Sequence, residues 1–247
     1  MKLKYRLLHF AYCLLPITYC LLQTACQKQD LRDYYFPLKQ LQKEPKVYEY
    51  RLSTADTSLT IYWYYQTVVQ GDSVNFVGTL YNSDFQPMQL VREERTANGM
   101  KMKELTFYTE GGAIAAKARI DGGATFPFAA HDSNSVFVNV IHFADPKDST
   151  HLTTLTRNRR FLRRTTYDFK EKNRAAAEFD MKEEQAESGA KQGGWVHVYK
   201  IQEIYAQGIG LVFSKRELGG GQFFETKLVD IYPMTDLEKK FKKHLGE

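Results

Sequence analysis

The run HFADPKDSTH sets His142, Asp145, Asp148 and His151 at even spacing, with His131 and Asp132 shortly upstream. Imidazole and carboxylate together are the groups that hold zinc or a similar ion. Even spacing across a turn that contains Pro146 does not converge four side chains, and Asp-Pro-Lys-Asp is ordinary turn chemistry. No metal site and no cofactor are expected.

A second cluster, RNRRFLRR, packs Arg157, Arg159, Arg160, Arg163 and Arg164 into residues 157–164. Guanidinium forks suit phosphates and carboxylates, so anionic lipid headgroups, lipopolysaccharide phosphates and acidic glycans are candidate partners. The alternative is an exposed strand whose charges offset the acidic run 178–187 and blunt a sheet edge. Catalytic signatures are absent: there is no Gly-x-Ser-x-Gly elbow, no His-Glu-x-x-His and no Walker-type loop. Gly219-Gly220-Gly221 lies between strand-like segments and reads as a loop, not a phosphate cradle. The chain is therefore expected not to be an enzyme, although its scattered carboxylates leave a hydrolytic pair as a third reading.

The remaining reactive group is Cys26. Lys2, Lys4 and Arg6 precede a mostly apolar segment, residues 7–22, and Thr24-Ala25 leads into the cysteine. A basic start, an apolar core of this length and a small residue before the break make a secretory signal peptide. Pro16 and His9 interrupt the segment, which is short for a membrane span of about 20 apolar residues. Thr24-Ala25-Cys26 resembles the end of a bacterial lipobox, with Gln23 at the usual leucine position and Leu22 one place before it. That resemblance implies cleavage before Cys26 and lipid on its sulfur, so residues 1–25 are read as the leader. Of three cysteines, Cys13 and Cys20 lie in the leader, which excludes a disulfide framework or a cysteine metal site in what remains. The leader carries three basic residues and no acidic one, leaving 31 basic against 29 acidic residues. A net charge of +2 gives no compositional support to a nucleic-acid role.

These groups must be positioned by strands. Residues 26–45 read as the lipidated cysteine, a tether and a first docking segment, with Pro37 and Pro45 expected to break any helix. From Val47 onward, period-two segments rich in aromatic and β-branched residues recur, among them SLTIYWYYQTVV, SVNFVGTLY, SVFVNVIHF and WVHVYKIQEIYA. Asn98-Gly99 predicts a type I′ hairpin. Residues 175–187 mix helix formers with Phe179 and Met181 at strand spacing, and strand is slightly favoured. Leu237, Phe241 and Leu245 fall on one face of a closing amphipathic helix over 235–246. The expected fold is mainly all-β: a single antiparallel domain, residues 46–247.

Two patches carry a further resemblance. YYFPLKQLQKEPKVYEY, residues 34–50, resembles the opening of lipoproteins of unknown function from the Bacteroidota. YAQGIGLVFSKRE, residues 205–217, is similar to a Gly-x-Gly-Leu-Val strand of those proteins and of the LolA/LolB-like superfamily. The resemblance implies a curved antiparallel sheet, an incomplete barrel whose apolar concave face is plugged by helical segments and, in LolA/LolB relatives, binds lipid or acyl chains. Trp63, Tyr65, Phe76, Phe137 and Ile141 are candidates to line such a face, and equally candidates for plain core. The function expected is that of a lipid-anchored cell-envelope protein acting by binding. Its ligand would be an acyl chain or other apolar component. The alternative is a structural or assembly lipoprotein docking a protein or glycan through its outer surface. Only Asp30 is acidic in residues 27–30, so no strong surface-export signal is present and the outer membrane facing the periplasm is the expected location.

Overall fold

Segments that alternate in sequence become strands, and the strands pair with their neighbours in sequence wherever a short turn allows it. The computed structural model of the protein describes residues 29–130, 135–145, 150–188 and 194–245. The expected leader, Cys26, His131, Asp132, Pro146, Asp148 and the side chain of Leu245 lie outside the described part. The strands are β1 (Gln29–Asp30), β2 (Lys46–Ser53), β3 (Ser58–Gln70), β4 (Ser73–Tyr81), β5 (Pro87–Arg95), β6 (Gly99–Tyr108), β7 (Ile114–Lys117) and β8 (Arg119–Pro127). They continue as β9 (Ala129–Ala130), β10 (Val136–Ala144), β11 (Leu152–Phe169), β12 (Lys172–Ser188), β13 (Trp195–Ala206), β14 (Gly210–Gly219) and β15 (Gln222–Tyr232). The helices are α1 (Leu38–Lys43) and α2 (Met234–Leu245).

The expected incomplete barrel is corrected to a closed one. The sheet runs β5-β4-β3-β2-β15-β14-β13-β12-β11-β10-β8-β6, and β6 pairs back onto β5, so twelve strands form a ring with β7 branching from β6. Closure follows from β6 having partners on both sides: β5 along its length and β8 at Gly99 to Lys101. The ring thereby removes the open edges that a half-barrel exposes. Residues 175–187 lie within β12, which is paired to β11 and β13 on its two sides, so ladder pairing overrides their helix propensity.

Two local expectations are also corrected. Asn98 carries no positive φ, and the β5–β6 turn is held by Thr96, whose N–H and hydroxyl both donate to the Gly99 carbonyl at 2.8 Å. Gly99 is required there for space, because a Cβ would lie 2.3 Å from the Phe126 carbonyl oxygen. The geometry of a type I′ turn is found instead at Lys170 and Glu171, with φ of 51° and 61° between the paired residues Phe169 and Lys172. Pro37 does not prevent a helix either: it caps α1, where its missing N–H is no loss.

The segment from Leu31 to Leu41 is a plug. Leu31, Tyr34, Tyr35, Phe36 and Leu41 are buried in the main core. The Leu31 N–H donates to the Phe128 carbonyl at 2.9 Å, and the Gly208 N–H donates to the Asp33 carbonyl at 2.9 Å. Phe36 stacks on Phe76 at 4.7 Å and lies against Tyr65 at 4.6 Å. Its ring rests on bare backbone at Gly210, where a Cβ would come within 2.5 Å of it. At the other end of the chain, α2 covers the barrel's outside: Leu237 packs with Val47, Tyr62 and Tyr232, and Phe241 meets Phe85 at 5.2 Å.

Removing the plug's central ring with Phe36→Ala is expected to cost about 3–5 kcal/mol in urea unfolding, as for a buried aromatic. Glu171→Gly, which relieves a left-handed residue, is expected to gain up to about 1 kcal/mol in the same assay.

Candidate functional site

Plug and strands do not fill the ring completely. A cavity of about 220 Å³ remains, bounded on the plug side by Tyr35 and Phe36 and around it by residues of ten strands, β3 to β6, β8 and β10 to β14. One wall is aromatic. Trp63 and Tyr65, two apart on β3, lie nearly parallel with ring centroids 5.5 Å apart, and Tyr65 stacks on Phe76 of β4 at 4.9 Å. Gly78 makes this possible: a Cβ there would come within 2.7 Å of the Tyr65 ring and 3.2 Å of Trp63. The rings thus cover the strand where it has no side chain of its own.

The opposite wall is polar. Asn139 and Phe137 of β10 are cross-strand partners of Arg157 and Arg159 of β11, so four neighbouring side chains face the cavity from that side. Arg159 pairs with Glu203 at 2.8 Å. Glu183 is held between Arg157 at 2.6 Å and Arg216 at 2.7 Å, and Arg216 lies 3.9 Å over the Tyr199 ring. Beyond this row is a second chamber of about 330 Å³, lined by Leu52, Ile201, Phe224 and the same ion pairs. Asn139 is only 3% exposed, and neither its amide nitrogen nor its amide oxygen has a hydrogen-bond partner. The Nε of Arg159 is likewise without one.

Glu93 of β5 also lines the cavity and accepts a hydrogen bond from the Tyr35 hydroxyl at 2.5 Å. Burial pushes the Glu93 carboxyl above its usual range, against the lowering effects of Tyr35 and Arg159. Burial likewise raises Tyr35, with Glu93 adding to it, and Tyr205. Around Arg159, burial opposes the charge, but Glu203, Tyr205 and Glu93 outweigh it and hold the guanidinium protonated.

The residues singled out in the sequence separate here. Trp63, Tyr65, Phe76 and Phe137 meet around the cavity, whereas Ile141 is fully buried beside it with Val91, Met102 and Leu105. The arginine run divides by strand alternation. Arg157 and Arg159 point inward, while Arg160 faces Asp180 at 3.6 Å, Arg163 bonds Glu178 at 2.7 Å and Arg164 reaches the Asp30 carbonyl at 3.4 Å. His142 bonds Thr154 at 2.9 Å and Asp121 at 3.1 Å. Among the described residues, no group of three or more His, Cys, Asp or Glu is placed to hold a metal ion. Sequence reasoning missed Asn139, Glu93, Glu203 and the plug pair Tyr35 and Phe36. Asn139 was findable, since it occupies the inward register of Phe137 and Ile141.

An acid whose pKa is higher folded than unfolded destabilises the fold above that raised value. The cost fades as pH falls through it towards the unfolded value near 4.5. Glu93→Gln is therefore expected to raise the unfolding midpoint at pH 7, and the gain should vanish as the pH approaches 4.5.

No protein-family model matches the chain, and no curated protein sequence matches it. Solved structures share its fold. A protein described as a lipoprotein from Parabacteroides distasonis ATCC 8503 superposes with a TM-score of 0.55 at 12% identity, over 81% of this chain and 98% of its own. An exported protein with a YmcC-like fold from Bacteroides fragilis NCTC 9343 does so with a TM-score of 0.55 at 12% identity, over 80% and 98%. The hypothetical lipoprotein YmcC of Escherichia coli K12 aligns over 80% of this chain and 88% of its own at 12% identity, but its TM-score of 0.35 carries no argument. At this identity the likeness is one of fold.

Proposed function

We propose that this chain is a lipid-anchored cell-envelope protein that works by binding and not by catalysis. It is held through Cys26 in the outer membrane facing the periplasm, and it takes an apolar group of an envelope component into its barrel. The observation that carries this reading is the cavity of about 220 Å³ beneath the Trp63, Tyr65 and Phe76 wall. An engineered apolar cavity of about 150 Å³ takes up benzene, whereas sites for drug-sized ligands span about 300–1,000 Å³. The space therefore suits a ring or the end of an acyl chain. A whole acyl chain, as in a LolA/LolB-like carrier, would have to displace the plug.

Two further points support binding. The ionisable groups of the interior are engaged with one another, Arg159 with Glu203, Arg157 with Glu183 and Tyr35 with Glu93, an arrangement that holds charge in place. The two neighbours of like fold are described as a lipoprotein and as an exported protein, words that suit an envelope location.

The chain has two tryptophans, so Trp195→Phe leaves Trp63 as the sole reporter inside the cavity. Native mass spectrometry of the chain taken from a host envelope fraction is expected to show small apolar adducts that disappear in Trp63→Ala. Titration with toluene is expected to change Trp63 emission. A clean apo mass together with an unresponsive Trp63 would refute interior binding and direct attention to the outer surface and a protein or glycan partner.

A further inference from the structure

We infer that the interior site takes a small monocarboxylate with a ring-sized apolar body. Its carboxylate is held by Asn139 and the Arg157–Arg159 pair, and its body lies against Trp63, Tyr65 and Phe76. This rests on the interior-binding reading above and adds to it the chemical class of the ligand.

Placement is the first argument. β3 and β11 stand six strands apart in either direction round the ring of twelve, so the aromatic wall and the arginine row face each other across the barrel. Asn139 and Arg157 are direct cross-strand partners, which puts their Cβ atoms about 4.5–5.5 Å apart, with Arg159 on the diagonal. An amphipathic molecule spanning the cavity meets an apolar surface at one end and N–H donors at the other.

Unmet hydrogen bonding is the second. Buried polar groups are nearly always paired, and each exception calls for an explanation. Two of the residues with such atoms meet here: the Asn139 amide and the Arg159 Nε both lack a partner, and both residues line the same cavity. A carboxylate is an acceptor-only group with room for several donors, which suits an amide nitrogen flanked by guanidinium.

Charge is the third. Arg157, Arg159 and Arg216 are balanced within their row only by Glu183 and Glu203, leaving one positive charge over. Glu93, the remaining carboxylate of the cavity, lies outside this row and is engaged by the Tyr35 hydroxyl at 2.5 Å, and burial raises its pKa. A monoanion closes the balance of the row, whereas a phosphate dianion would overshoot it.

The test uses the full chain carrying Trp195→Phe, with phenylacetate, phenylacetamide and toluene titrated against Trp63 emission. Phenylacetate is expected to bind at least about tenfold more tightly than phenylacetamide, the gain typical of one hydrogen bond to a charged group. Asn139→Leu is expected to weaken phenylacetate by about tenfold, leave toluene unchanged and raise the unfolding midpoint, because the apo protein loses an unpaired buried amide. A purely structural Asn139 would not move affinity and stability in opposite directions. Equal affinity for acid and amide, or an Asn139→Leu variant that binds phenylacetate as before, overturns the inference. If toluene alone binds, the carboxylate site falls and interior binding stands. If none of the three binds, both fall.

Discussion

A ring of twelve strands encloses more space than its own inward side chains fill, and the interior of this protein is organised around that surplus. Eight-stranded barrels are filled by their side chains or hold one small ligand, while rings of 16 to 18 leave an aqueous channel. Twelve lies between, and this chain meets the excess in two ways. It folds its own N-terminal segment inward, supplying Leu31, Tyr35, Phe36 and Leu41 as core. It also fills the far side with long charged side chains, whose stems pack while their heads pair.

The second device is expensive. Taking a guanidinium and a carboxylate out of water costs several kcal/mol each, repaid only where geometry is good and every remaining donor is met. The Glu183 carboxylate, bridged by two arginines, comes close to that condition. The Asn139 and Arg159 corner does not, and a hydrophobic core of the same volume would have avoided the deficit. In the binding role proposed above, these polar groups facing an aromatic wall are kept for a ligand and not for space filling.

Much of the architecture was legible from alternation alone. The strands, the closing helix with Leu237 inward and the aromatic set Trp63, Tyr65, Phe76 and Phe137 all follow from side chains taking opposite faces in turn. The same rule, applied to residues 157–164, separates Arg157 and Arg159 from Arg160, but a cluster of like residues reads first as a single patch. Other features depend on partners distant in sequence. Ring closure rests on β6 finding β8 as well as β5, and no local signal in β6 announces it. The Lys170-Glu171 turn has none of the usual turn residues; the ladders of β11 and β12 impose its left-handed geometry. Pro37 reads in the sequence as a helix breaker, although at a helix start it acts as an initiator.

The pairing of β2 with β15 has a consequence for how the molecule is made. Most seams of the ring join consecutive strands through short turns, but this one joins a strand near the start of the chain to the last strand of all. Loop-closure entropy must be met before such a contact gives any return, so the topology places it on the slow side of folding. A chain emerging from its N-terminus can build hairpins early, yet it cannot shut the ring until residue 232 has arrived. The plug precedes every strand of the ring in the sequence, so it is already present when the final seam closes and is enclosed during assembly.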